Sequence, residues 1–191
     1  MRLLDILIAL LALVILSPLL LLVCLAIWFC MGRPVLFRQE RLGEHGRVFT
    51  MLKFRTMQQA RLGAVVTVDS VNDYSIKLKG DPRITPLGAV LRKTSIDELP
   101  QLINVLCGEM SIVGPRPWVG DEYDRMPADW RQRLHGKPGI TGLAQINGRS
   151  DLPPEDIISY DIQWNRSPSL RLYLKIIVLT PFRIVQGHSS Y

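Results

Sequence analysis

Asp97 and Glu98 are neighbouring carboxylates in the stretch Thr94-Ser95-Ile96-Asp97-Glu98-Leu99-Pro100-Gln101. An ionised aspartate next to a phosphate is a candidate nucleophile for phosphoryl transfer. Proline is tolerated only in the first turn of a helix, so Pro100 puts a helix start close to Asp97. The unpaired N–H groups and positive dipole end of such a start favour negative charge. They would keep Asp97 ionised and would also hold a phosphate. The plainer reading is a cap, because Ser95-x-x-Glu98 fits a capping box.

The flanking elements decide whether the pair does chemistry. Leu99, Leu102, Ile103 and Leu106 fall at i, i+3, i+4 and i+7, the apolar face of a helix, with Asp97, Glu98, Gln101 and Asn104 off that stripe. Upstream, Thr85 and Pro86 have the types of an N-cap and first helical position, for a helix running to about Lys93. Arg92 and Lys93 at its end suit the helix dipole, and they also lie within a few residues of Asp97. Downstream, Gly114-Pro115-Arg116-Pro117 is a stiff loop presenting Arg116 at reduced entropy cost, and arginine is a bidentate partner for phosphate. The segment from Gly136 to Arg149 is glycine-rich without the order of a P-loop or a dinucleotide turn; its glycines permit close backbone approach to a ligand.

Two strands, around Val35–Gln39 and Val48–Phe54, flank the turn residues Gly43-Glu44-His45-Gly46 and read as a hairpin. Lys53 and Arg55 share one face of the second strand, either solvated or meeting phosphate. Gln58 to Gly80 reads as a loop. Asp121 to Leu134 reads as a surface helix that includes Trp130, and Asp156 to Asn165 as another helix. A last helix follows Ser167-Pro168; its segment Leu170–Leu179, apolar with basic breaks, suits a membrane surface or a core equally.

The N-terminus is different in kind. From Ile6 to Met31 there are 26 residues without a charge, about 39 Å as a helix against the roughly 30 Å of a bilayer's hydrocarbon. The run is too long for a cleaved leader and lacks a small-x-small site. Ser17-Pro18 sits mid-run; Pro18 cannot donate to the Val14 carbonyl, and the Ser17 hydroxyl can reach back one turn. Basic residues flank both ends, Arg2 before and Arg33, Arg38 and Arg41 after, so the charge rule sets no direction. A spanning helix and a bent helix returning to the same leaflet both fit. The formal charge of +6 with 48% hydrophobic residues points to an anionic partner, lipid headgroup or phosphorylated ligand, with nucleic acid as the rival. Cys24, Cys30 and Cys107 have neither CxxC nor zinc spacing, and His45, His135 and His188 are scattered, so these residues carry no metal site.

Five blocks then occur in order: Lys53-Phe54-Arg55-Thr56-Met57, Asp81-Pro82-Arg83, Thr94 to Gln101, Gly114-Pro115-Arg116-Pro117, and Lys137-Pro138-Gly139-Ile140-Thr141-Gly142. Together they resemble the bacterial sugar transferase family, and more narrowly a small monotopic phosphoglycosyl transferase. The resemblance implies transfer of a phospho-sugar from a UDP-sugar to a polyprenol (undecaprenyl) phosphate, with UMP released and an aspartyl phospho-sugar formed on the way. It makes Asp97 the nucleophile and Glu98 a ligand of Mg²⁺, and it gives the phosphates to Lys53, Arg92 and Arg116. Pro115, Pro117, Gly142, Gln145 and Arg149 are candidate substrate contacts. The break at Ser17-Pro18 would make the N-terminal helix re-entrant, with both ends on the cytoplasmic face of the bacterial inner membrane.

The fold class expected is therefore α+β, predominantly helical. Residues 1–32 form a re-entrant membrane helix, and residues 33–191 a catalytic domain with a β-hairpin and interfacial amphipathic helices. The competing expectation is a membrane-tethered binding module for anionic ligands or nucleic acid, without turnover. The chain has no aromatic-plus-basic stacking repeat, which weighs against nucleic acid. Whether two copies pair as a homodimer is left open by the sequence.

Overall fold

A computed structural model of the chain describes residues 1–58, 70–72, 75–77, 81–120, 127–148 and 152–185. Its first element is a 30-residue helix, α1 (Arg2–Met31). α1 is continuous through Pro18 rather than interrupted there. Pro18 deprives the Val14 carbonyl of its usual donor, and the Ser17 hydroxyl donates to that same oxygen at 2.8 Å. The helix is long and apolar enough to cross a membrane. Its buried residues are few, Asp5 and Ala9 near one end and Val23 and Ile27 near the other, whereas Leu11, Val14, Ile15, Leu22 and Phe29 are exposed.

Both ends of α1 are fastened to the rest of the chain. β1 (Leu36–Leu42) and β2 (Val48–Phe54) form the expected antiparallel hairpin, with Leu36 opposite Phe54 and Leu42 opposite Val48. β3 (Ser70–Asn72) and β4 (Ser75–Lys77) pair antiparallel within the segment read as a loop. α2 (Pro86–Lys93) starts as its sequence predicts: the Thr85 hydroxyl accepts from the Gly88 N–H at 3.0 Å. A 3₁₀ turn (Ile96–Glu98) leads to the short α3 (Gln101–Cys107).

β5 (Ser111–Val113) and β6 (Gly139–Thr141) form a parallel pair that sequence patterning does not reveal. Three-residue strands are too short to show a period. The glycines read as room for a ligand serve this pairing instead. A Cβ on Gly139 would lie 2.0 Å from the Gly114 nitrogen, and one on Gly142 would lie 2.3 Å from the Gly114 oxygen.

Of the surface helix expected over Asp121–Leu134, residues 121–126 lie outside the described residues. The remainder is a 3₁₀ helix (Ala128–His135) that buries Arg133 and Leu134. α4 (Leu143–Asn147), α5 (Pro154–Arg166) and α6 (Leu170–Val185) complete the fold, which is α+β and mostly helical.

One core joins Ala9 of α1 to Phe49 and Met51, Leu102 and Val105, Ile112, Trp164, Tyr173 and Ile176. A second joins Val23 and Ile27 to Phe54 and Leu91. α6 packs into the core and also keeps an exposed apolar face. Tyr173 and Ile176 are buried, while Leu170, Leu174, Val178 and Phe182 form an exposed stripe at four-residue spacing.

Candidate active site

Asp97 and Glu98 lie in the 3₁₀ turn, three to four residues before α3, and not in the first turn of that helix. The capping box is not formed. Ser95 takes left-handed dihedrals (φ 57°, ψ 17°) and its side chain caps nothing. A non-glycine residue in that region is uncommon. Here it turns the chain sharply out of α2, and Asp97 is buried at 7% exposure. The polar residues expected off the apolar stripe also face inward. Gln101 and Asn104 are 3% exposed, whereas Ile103, counted on the apolar face, is 42% exposed.

Asn104 fixes this segment to the hairpin. Its Oδ1 accepts from the Leu52 N–H at 3.0 Å, and its Nδ2 donates to the Thr50 carbonyl at 2.8 Å and to Glu109 Oε2 at 2.7 Å. That latch brings the end of β2 against the 3₁₀ turn. Phe49, Met51 and Lys53 alternate along one face of β2, so Lys53 follows the buried pair inward. Its Nζ donates to Glu98 Oε1 at 2.8 Å. Arg55 leaves the ladder and serves another purpose, donating to the carbonyls of Met31, Gly32 and Arg33 at the end of α1. Arg116 donates to the same Glu98 oxygen at 3.3 Å.

The Arg116 loop is held from behind. Arg133 NH2 donates to the Arg116 carbonyl at 3.0 Å, and the same guanidinium pairs with Asp161 at 2.5 Å and lies 4.1 Å from the Trp118 ring centroid. Arg41 NH1 donates to the Pro117 carbonyl at 3.1 Å. A small cavity is lined by Arg41, Met51, Lys53, Glu98, Gln101, Arg116, Pro117, Gly139 and Ile140.

The electrostatics separate the two acids. Burial pushes Glu98 up, but Lys53 and Arg116 outweigh it and hold the carboxyl down at about 2. Asp97 is raised to about 6 by burial first and then by Glu98, with Lys53, Arg92 and Arg116 pulling against the rise. The helix-dipole expectation for Asp97 is thus replaced by desolvation. Asp97 makes no hydrogen bond among the described residues; its sequence neighbour Glu98 lines the cavity, and Asp97 itself does not.

Lys53, Glu98, Arg116 and Pro117, all expected at the site, come together at this cavity. Arg92 donates to the Thr56 hydroxyl at 3.0 Å and to Met57 Sδ at 3.3 Å, and reaches Asp97 only through its field. Pro115 is buried, Gly142 backs onto Gly114, and the Gln145 carboxamide is fully enclosed. Arg149 lies outside the described residues. Arg41, Gln101, Asn104 and Arg133 were not read from sequence as site residues. The available signal was polar residues at helical spacing after Glu98.

No group of three or more acids, histidines or cysteines that could hold a metal clusters among the described residues, so a Mg²⁺ at Glu98 would need waters and substrate phosphates to complete its coordination. Both cations on Glu98 contact Oε1.

A family profile described as bacterial sugar transferase matches residues 1–187. The chain belongs to that family. This sugar transferase is 40% identical to the exopolysaccharide production protein ExoY of Sinorhizobium fredii, over 98% of its own length and 86% of the relative's. It is 44% identical to the galactosyl transferase CpsE of Streptococcus agalactiae, over 78% of its own length and 34% of the relative's. It is 40% identical to the UDP-glucose:undecaprenyl-phosphate glucose-1-phosphate transferase of Escherichia coli, over 98% and 40% respectively. The chain thus spans well under half the length of the last two.

Proposed function

We propose that the protein moves a phospho-sugar from a UDP-sugar to a polyprenol phosphate, releasing UMP, through a covalent intermediate on Asp97. The observation that carries this reading is the division of labour between the acids. Glu98 is neutralised by Lys53 and Arg116, while Asp97 is buried, without a hydrogen bond among the described residues, and raised to about 6. The names of the relatives that use UDP-glucose and undecaprenyl phosphate support the choice of donor and acceptor.

In the first half-reaction Asp97 Oδ attacks the β-phosphorus. The bond from that phosphorus to the bridging oxygen breaks, and UMP departs with the electron pair. In the second, an oxygen of the polyprenol phosphate attacks the same phosphorus and the Asp97 carboxylate leaves. Lys53 and Arg116 draw the anionic donor to a carboxylate that would otherwise repel it, and positioning supplies most of the remaining catalysis. Glu98 is the residue that would hold Mg²⁺, whose charge would help neutralise the phosphates.

The same reading places α1 as a re-entrant helix at the cytoplasmic face of the bacterial inner membrane, with residues 33–191 as the catalytic part. Support comes from both ends of α1 binding one body. Arg2 donates to the carbonyls of Val105 and Leu106 at 2.6 and 3.0 Å, and Arg55 donates to Met31 at 2.5 Å. A spanning helix would carry its ends to opposite sides. The exposed stripe of α6 continues an apolar surface suited to lipid. Neither the charge nor the cavity favours nucleic acid over phosphate.

The test is UMP release from UDP-glucose or UDP-galactose in the presence of Mg²⁺. Wild-type protein is expected to release UMP and folded Asp97→Asn to release none. Release by Asp97→Asn at the normal rate would overturn the assignment.

A further inference from the structure

Four charged side chains line the cavity at Glu98: Arg41, Lys53, Glu98 and Arg116. Each is already engaged, Lys53 and Arg116 with Glu98 and Arg41 with Gln39 and the Pro117 carbonyl. The fifth polar side chain is Gln101, and its situation differs. It is 3% exposed, lines the same cavity, and its carboxamide has no hydrogen-bond partner among the described residues.

The fully enclosed side-chain atoms without a partner among the described residues belong to Arg55, Arg133 and Gln145, so the unbonded Gln101 carboxamide opens onto the cavity. An amide held at a cavity wall can exchange water for an oxygen of a ligand. Gln101 follows Glu98 by three residues and Asp97 by four, and Asn104, at the next polar position of α3, is fully satisfied by Leu52, Thr50 and Glu109. The free amide therefore belongs to the cavity rather than to a general polar face of α3.

We infer that Gln101 is a substrate-contacting residue whose side-chain N–H donates to a non-bridging phosphoryl oxygen of the sugar nucleotide. The cavity's cations admit an anion, and a neutral donor inside it binds a phosphoryl oxygen without adding charge that Glu98 would capture. Such a donor acts as oxyanion-hole groups do, aimed at oxygen on which negative charge is concentrated during transfer. The inference rests on the proposed reaction and adds a residue to it.

The experiment uses the full chain in detergent or nanodiscs, with UDP as the binding probe and UMP release from UDP-glucose or UDP-galactose as the rate. Gln101→Met keeps the length of the side chain and removes its polar atoms. The expected result is an apo melting temperature within a few degrees of wild type, UDP binding weakened at least fivefold, and kcat reduced 10- to 100-fold. Gln101→Glu keeps the shape and replaces the donor by a carboxylate. It is expected to lose more activity at pH 8 than at pH 6, since protonation relieves its repulsion of phosphate. Retention of kcat and UDP affinity within twofold in both variants would overturn the inference. So would a Gln101→Met protein that melts several degrees lower, together with a Gln101→Glu protein whose loss does not vary with pH, because both would mark a structural amide. If the wild type neither binds UDP nor releases UMP, the underlying reaction is wrong and the inference falls with it.

Discussion

Arg133 donates to the carbonyl oxygen of Arg116 at 3.0 Å, and the Arg116 guanidinium in turn lies 3.3 Å from Glu98. The Arg133 side chain is completely buried and paired with Asp161 of α5. An element remote in sequence thus fixes the backbone of the loop that carries the cation paired with Glu98. Arg133→Met would leave Asp161 buried and unpaired, at a cost of about 3–5 kcal/mol. Arg133→Met with Asp161→Leu should recover most of that stability in a thermal melt, yet still release UMP more slowly than wild type. If Arg133 acts through Arg116, adding Arg116→Ala to this pair should slow the reaction little further. Additive losses would mean the two act independently.

The raised carboxyl of Asp97 sets a pH dependence. Only the ionised form attacks, so kcat/KM should fall below an apparent midpoint near 6. Lys53→Gln and Arg92→Gln each remove a charge that pulls this carboxyl down, so the midpoint should move up. Lys53→Gln should also cost roughly 10²-fold in kcat, since it touches the site directly. A pH–rate profile of UMP release measures both effects.

The same shift has a stability consequence. In the unfolded chain Asp97 loses its proton near 3.8, and in the folded protein near 6. Between those values the native state holds the extra proton, so stability falls as pH rises through this window. Above 6 the penalty is complete, on the order of 1–3 kcal/mol. Asp97→Asn should therefore melt higher than wild type at pH 7.5 and about equally at pH 3.5. Glu98 has the opposite sign: its contribution is intact above the unfolded value of 4.5 and is lost as pH falls toward 2.

Asp5 ties the start of α1 to the domain. Its carboxylate accepts from the Ser111 hydroxyl at 2.9 Å, the Ile112 N–H at 2.9 Å and the Tyr173 hydroxyl at 2.8 Å. Asp5→Leu strands three buried donors and should cost about 2–4 kcal/mol, while Tyr173→Phe should cost about 1 kcal/mol. In the re-entrant reading, cysteine labels placed before Leu3 and near His45 should react from the same side of the membrane. Labelling from opposite sides would rule that topology out.

Much of this architecture could be read from local chemistry. Thr85-Pro86 announced α2, Gly43 to Gly46 announced the hairpin turn, and the uncharged run announced α1. The Lys53, Glu98 and Arg116 cluster followed from ordered motifs. What escaped depends on contacts between distant residues. Ser95 gives no sign of a left-handed turn, because neither glycine nor asparagine stands there. β5 and β6 are too short to show a period, and their glycines serve backbone-to-backbone packing. Arg133 reads as a surface charge until Asp161, 28 residues on, arrives beside it. Gln101 was visible only as a polar residue off an apolar stripe.

The central claim is a covalent bond between Asp97 and the donor's phosphorus. Protein mixed with UDP-glucose or UDP-galactose without acceptor, quenched in acid and digested, should carry a hexose-phosphate mass on the peptide containing Asp97. Adding polyprenol phosphate before the quench should discharge that mass. Product formed at the normal rate with no adduct on that peptide would contradict the account.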